Sequence, residues 1–207
     1  MKIVREHINE KFREDSDPIR DMGIGSRKLI KEWLEKYEKN VYEPTINDDF
    51  TINARGINFH AIPLPNGEFP EFIKFNEIHG TISMYESGLK NFKGFPKKVD
   101  FNLYIGKNQL TSLEGIPKEI GLSIMLFENK LLSLKNCPRI IKDNFNISHN
   151  KELTSLEYMP QEIWGDFICF DTGMSDKYIR EYINDNKILI QGSKIIDNRS
   201  ATLHKYI

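Results

Sequence analysis

Three stretches decide the reading: LYIGKNQLTSLEGIPKEIG at residues 103–121, IMLFENKLLSLKNCPRIIK at 124–142 and FNISHNKELTSLEYMPQEIWG at 145–165. Laid over one another, they keep Asn108, Asn129 and Asn150 at a spacing of 21, while Pro96, Pro117, Pro138 and Pro160 run at 21, 21 and 22. The same offset carries Leu89 to Leu110, Leu131 and Leu153, and Phe92 to Leu113, Leu134 and Leu156. Further columns are Val99, Ile120, Ile141 and Ile163, then Leu103, Ile124, Phe145 and Phe167, then Ile105, Leu126, Ile147 and Cys169. So many independent columns in agreement mark an internal repeat, which must be recognised before any local structure is assigned.

Each column has a physical task. The L-x-I pair is a short strand whose alternate side chains point into a core. A strand this short has no independent stability, so neighbouring units must stack into a parallel ladder. Asn108, Asn129 and Asn150 stand where the chain turns out of the strand; their amides can donate to and accept from backbone groups that the turn leaves buried. The proline ends the return path. The unit falls in the leucine-rich-repeat length class. The expected fold is therefore α+β: a leucine-rich-repeat solenoid of about 21-residue repeats over residues 46–175, with full repeats over about 78–174.

Flanking this core, residues 1–45 read as an N-terminal segment with a helix over about 27–38. Ser26 is its N-cap, and Leu29, Ile30, Trp33, Leu34 and Tyr37 lie on one face. Residues 50–73 read as a divergent entry repeat with LPNGE (64–68) as an inserted loop. Ser175 caps a second helix from Asp176 to about Asp185, expected to close the far end against strand pairing. Residues 187–197 suggest a further strand or hairpin, and 176–207 together read as capping helix and tail.

Segments such as LTSLEGIPKEIG (110–121) and LTSLEYMPQEIWGDF (153–167), with IKEWLEKY (30–37) and TINDDFTINARGINF (45–59) upstream, resemble uncharacterised leucine-rich-repeat proteins of phages and prophages. The resemblance covers roughly residues 26–175. Ser87 and Thr172 depart from it by standing where the turn asparagine belongs. Residues 8–25, INEKFREDSDPIRDMGIG, resemble an N-terminal segment of otherwise dissimilar phage proteins, especially from phages of gut Bacteroidota, with Glu14 in place of a glycine. That resemblance implies a docking or sorting tag and no activity.

Composition narrows the function classes. With 29 Lys and Arg against 30 Asp and Glu, a net charge of −1 supplies no field to draw the chain onto nucleic acid or an anionic membrane, so nucleic-acid binding is disfavoured. No apolar run reaches the roughly 18–20 residues of a membrane span, and the N-terminus lacks a signal-peptide core, so a host-cytoplasmic setting is expected. Cys137 and Cys169 fall on apolar repeat positions and read as reduced core fillers. His7, His60, His79, His149 and His204 have no metal-ligand spacing, and Asp48-Asp49 has no partner acid at a defined geometry. Gly23-Ile24-Gly25-Ser26 at a helix start has a superficial likeness to a phosphate cradle, but the strand and full glycine–lysine spacing of a true one are missing. No catalytic residue, cofactor or metal is expected.

The informative positions face outward between the core columns. They are Ser83, Tyr104, Met125, Asn146 and Ile168, and then Tyr85, Gly106, Phe127, Ser148 and Phe170. Ladder spacing sets Tyr85, Tyr104, Met125, Phe127, Ile168 and Phe170 side by side as an exposed apolar patch, the mark of an interface. A non-catalytic module of phage or prophage origin is expected, binding a host or phage protein through this face. The alternative is a virion-associated protein docked by its N-terminal segment. Cover by the chain's own ends, or self-association into a homo-oligomer, are the other readings of the same patch.

Overall fold

The computed structural model describes residues 18–196, with side chains from Ser26 onward; the tag-like segment, apart from its helical backbone from Pro18, and His7, His204 and the last eleven residues lie outside what is described. Parallel two-residue strands recur once per repeat and build a solenoid of about five turns with roughly 22-residue spacing. Its main sheet has eight strands. In chain order along the ladder these are β1 (Val41–Tyr42), β4 (Gly56–Asn58), β6 (Ile82–Ser83), β8 (Leu103–Tyr104), β10 (Ile124–Met125), β12 (Phe145–Asn146), β14 (Phe167–Ile168) and β16 (Lys194–Ile195). All neighbours pair in parallel except β1, which runs antiparallel to β4. Register is in phase: Leu103 pairs with Ile124, and Ile124 with Phe145.

The opposite face carries a second ladder, and this one is broken. β2 (Thr45–Ile46), β3 (Ile52–Ala54), β5 (Phe75–Ile78), β7 (Lys98–Val99) and β9 (Glu119–Ile120) form one sheet. The strands β11 (Ile140–Ile141), β13 (Glu162–Ile163) and β15 (Leu189–Ile190) form another. No strand pairing joins β9 to β11.

Between the ladders sits one continuous core. Ile82, Leu103, Ile124, Phe145 and Phe167 are buried on the first strand column, and Met84, Ile105, Leu126, Ile147 and Cys169 on the next. The columns Leu89–Leu110–Leu131–Leu153 and Phe92–Leu113–Leu134–Leu156 close it. Each such side chain contributes roughly 1.5–3 kcal/mol of transfer free energy, which is how units too short to fold alone hold as a stack. Phe145 and Phe167 stack at 6.0 Å between ring centres, so the core stays filled where Ile gives way to Phe.

Both ends depart from the sequence reading. The first helix, α1, spans Pro18–Lys36, not 27–38. Ser26 and the Gly23–Gly25 stretch therefore lie inside it, and neither an N-cap nor a phosphate cradle exists there. Proline at the first helical position is a helix-start signal because its missing N–H would be unpaired anyway. Ile30, Trp33 and Leu34 of α1 are buried, with Trp33 packed against Phe59, Phe69 and Phe75. Residues 41–45, counted with the N-terminal segment, contribute β1 and the start of β2 to the sheets.

At the other end, α2 (Asp176–Asp185) begins at Ser175, whose hydroxyl accepts a hydrogen bond from the Tyr178 amide. It was expected to close the solenoid. Instead the chain continues past it, and residues 187–196 add one more parallel strand to each ladder, β15 against β13 and β16 against β14. Tyr178 lies against Ser155 and the Leu156 amide, so α2 packs alongside the last repeat, within a further turn of the coil. In the entry region, LPNGE carries a short 3-10 turn at Pro65–Gly67 with Leu64 and Gly67 buried.

Candidate functional site

The outward face of the main sheet is shaped by the turn that follows each strand. Asn108 accepts from the Leu89 amide at 2.8 Å and donates to the carbonyls of Met84 (2.7 Å), Ile105 (3.1 Å) and Gly106 (3.0 Å). Asn129 accepts from Leu110 and donates to Ile105 and Leu126. Asn150 accepts from Leu131 and donates to Leu126 and Ile147. Each buried amide thus ties its own turn to the preceding repeat and leaves no buried side-chain polar atom unpaired among the described residues. At the first repeat, Ser87 reaches the Met84 carbonyl, and at the last, Thr172 accepts from the Met174 amide and bonds to the Cys169 thiol within its own turn.

One residue before each of these positions the backbone is left-handed: Glu86, Lys107, Glu128, His149 and Asp171 have φ between 51° and 58°. The conformation costs a non-glycine residue roughly 1–2 kcal/mol, and it holds these polar side chains in a row along the rim of the face. The His149 ring lies 2.7 Å from the Asp171 carboxylate, and that hydrogen bond is the first cause of an Asp171 carboxyl held below its usual range. Lys107 is held above its ordinary value, first by its hydrogen bond to Tyr85 and then by Glu128. Its ammonium lies 5.2 Å from the Tyr85 ring centre.

The six aromatic and apolar positions do not form one exposed strip. Tyr104 is the most open, 36% exposed, and Tyr85 and Met125 are half-buried. Phe127 is only 6% exposed, because its ring lies down on Gly106, where a β-carbon would meet it at 2.7 Å. Tyr85 packs against it at 5.7 Å and stacks on His60 at 5.0 Å. Ile168 and Phe170 are buried, at 0% and 4% exposure, which corrects their reading as surface groups. Ile168 sits inside the ladder, flanked by Asn146 and, through β16, by Ile195. Phe170 is met edge-on by His149 at 4.9 Å.

What remains open is a shallow recess of about 600 Å³ over β6, β8 and β10. Tyr85 and Phe127 wall one end, Tyr104 and Met125 its middle, and Ser123 with Asp143 the other. Asp143 accepts a 2.7 Å hydrogen bond from the Ser123 hydroxyl. Partial burial first, and then the Asp143 charge, push the Tyr104 hydroxyl above its usual range. Sequence reasoning missed Asp143: in its column, Phe101, Leu122, Asp143 and Gly165, it has no equivalent to draw attention to it.

Other chemistry is sparse. Burial pushes the Cys169 thiol up to about 12 and Cys137 further still. Among the described residues no group of three or more His, Cys, Asp or Glu is placed to hold a metal, and no helix is long and apolar enough to cross a membrane. A second cleft of about 340 Å³ opens at the broken ladder, where Lys118, Arg139 and Lys142 are interleaved with Glu119 and an ion-paired Lys98 and Asp100. No family model, curated protein or solved structure matches the chain.

Proposed function

We propose that the chain is a non-catalytic interaction module of the leucine-rich-repeat kind, of phage or prophage origin, which binds a host or phage protein through the open part of its main sheet face. The observation that carries this reading is the recess itself: two tyrosines and a methionine left partly open on a rigid ladder, beside a phenylalanine fixed by Gly106. Tyrosine, methionine and phenylalanine are interface residues by composition, and residues held on a ladder lose little further freedom on binding. The binding positions are Tyr85, Tyr104, Met125 and Phe127, without Ile168 and Phe170. Supporting a non-catalytic role, Cys169 is buried and Cys137 partly buried, and both thiols are raised far from the range of a nucleophile.

Affinity capture from infected or lysogenic host cells tests this, comparing wild type with a Tyr104→Ala/Met125→Ala variant. Both substitutions trim partly open side chains and spare the buried Phe127. A host or phage protein held by wild type and lost by the variant supports the sheet-face site. Equal recovery moves the site elsewhere and makes docking of a virion-associated protein by residues 1–25 the better reading.

A further inference from the structure

We propose that the recess takes a lysine or arginine side chain presented by the protein partner, an inference that rests on the interaction reading above. Its two ends differ in their charged groups. Along the strand direction, Asp143 and Ser123 stand before the first outward column, and Lys107 stands just after the second, over Tyr85. Among the described residues no cation pairs with the Asp143 carboxylate, whose hydrogen-bond partner is the neutral Ser123 hydroxyl. Among the other carboxylates on repeat corners and rims, Asp100 and Asp171 each have a lysine and a histidine beside them, and Glu86 and Glu128 act on Lys107. Asp143 is thus a negative charge at the mouth of an apolar trough with its counterion missing from the fold.

The shape suits the same occupant. Ser83, Gly106 and Ser123 are small and sit between Tyr85, Tyr104, Met125 and Phe127, which leaves a trough for an unbranched stem. A lysine or arginine side chain lays its methylenes on apolar surface while its head stays polar, so the stem would run along Met125 and Tyr104 with the cation at Asp143. At the Tyr85 end Lys107 already lies over the ring, with Glu128 and Glu86 acting on it, so the carboxylate with no cation of its own in the trough is Asp143, and it sets the direction in which the side chain enters.

The test uses the full chain labelled with ¹³C at its methionine methyl groups, with Met125 as reporter. It is titrated with the methylamides of Nα-acetyl-arginine, -lysine, -norleucine and -glutamate. Saturable Met125 shifts are expected with the arginine and lysine probes, about three- to fivefold tighter than norleucine, the size of one partly exposed ion pair, and weaker still for glutamate. Asp143→Asn keeps an acceptor for Ser123, and should bring arginine and lysine down to the norleucine level. Norleucine binding as well as arginine in the wild type overturns the proposal without needing any variant. So does a preference that survives Asp143→Asn, or the absence of a saturable shift with every probe. The interaction reading stands or falls separately, on whether the Tyr104→Ala/Met125→Ala variant loses the captured protein.

Discussion

The two long faces of this solenoid are built from the same repeats, yet one carries an unbroken ladder of eight strands and the other is interrupted between β9 and β11. The difference lies in what each corner does with its backbone. At the corner after the main strands, Asn108, Asn129 and Asn150 bury an amide that bonds to two successive repeats, so each turn is locked to its neighbour. At the corner before the second ladder, Ser112, Ser133 and Ser155 accept from the amide two residues on, at exposed sites. The bonds that cross repeats there, between Asn91 and Glu68 and between Tyr178 and Ser155 with the Leu156 amide, fall toward the two ends of the stack. Order along the stack is thus enforced on one face and merely permitted on the other, and the open recess lies on the enforced face.

Breaking the locked corner should have the largest effect. Asn129→Ala leaves the buried Leu110 amide without its acceptor and takes one of two side-chain bonds from each of the Ile105 and Leu126 carbonyls, which keep those from Asn108 and Asn150. A loss of about 3 kcal/mol is expected in urea unfolding, since an unmet buried group costs about 1–3 kcal/mol and the two lost carbonyl bonds add to it. Ser133→Ala, its counterpart on the other corner, should cost no more than about 0.5 kcal/mol. Similar losses for the two would erase the contrast.

Within the main face, Phe127→Ala should cost about 2–3 kcal/mol and Tyr104→Ala under about 1 kcal/mol, because one ring is buried on Gly106 and the other is partly open. On the second corner, the left-handed position is glycine at Gly94 and Gly115 but Asn136 and Tyr158 in the next two repeats. Tyr158→Gly removes an exposed side chain from a φ of 66° and should raise stability by about 0.5–1 kcal/mol. A loss instead would mean that the tyrosine ring contributes packing there.

Acid should act weakly on both faces. The carboxyls of Asp171, bonded to His149, and of Asp100, bonded first to Lys98 and then to His79, are held below their usual range. A group whose folded value is lowered stabilises above the unfolded value, near about 4, and loses that contribution as pH falls through the folded value. Stability measured by denaturant titration should therefore decline below about pH 4. Asp100→Asn and Asp171→Asn should each flatten the decline slightly, as expected for exposed pairs.

Much of this architecture is legible in the sequence because in-phase columns report packing directly: Leu103, Ile124, Phe145 and Phe167 recur where the core needs them. What escaped the reading breaks the period or depends on a neighbour. β16 lies 27 residues beyond β14, since α2 is inserted in that turn, so its Lys194 matches no column even though it pairs with Phe167. Pro18 carried the true start signal of α1, while Ser26 offered a plausible cap in mid-helix. Alternation placed Phe127, Ile168 and Phe170 on the outward face; their exposure was set by Gly106, Ile195 and His149, which alternation does not weigh. Asp143, which gives the recess its charge, has no periodic signature at all.

Native-state amide exchange tests the contrast between the faces most directly. The amides of Leu126 and Ile147, bonded across the main ladder, and of Leu110 and Leu131, bonded to the asparagine side chains, should exchange only through global unfolding. Those of Ile140 and Lys142, at the unpaired edge of β11, should exchange orders of magnitude faster. Equal protection on the two sides of the coil would contradict the claim that the buried asparagines lock one face in register more firmly than the other.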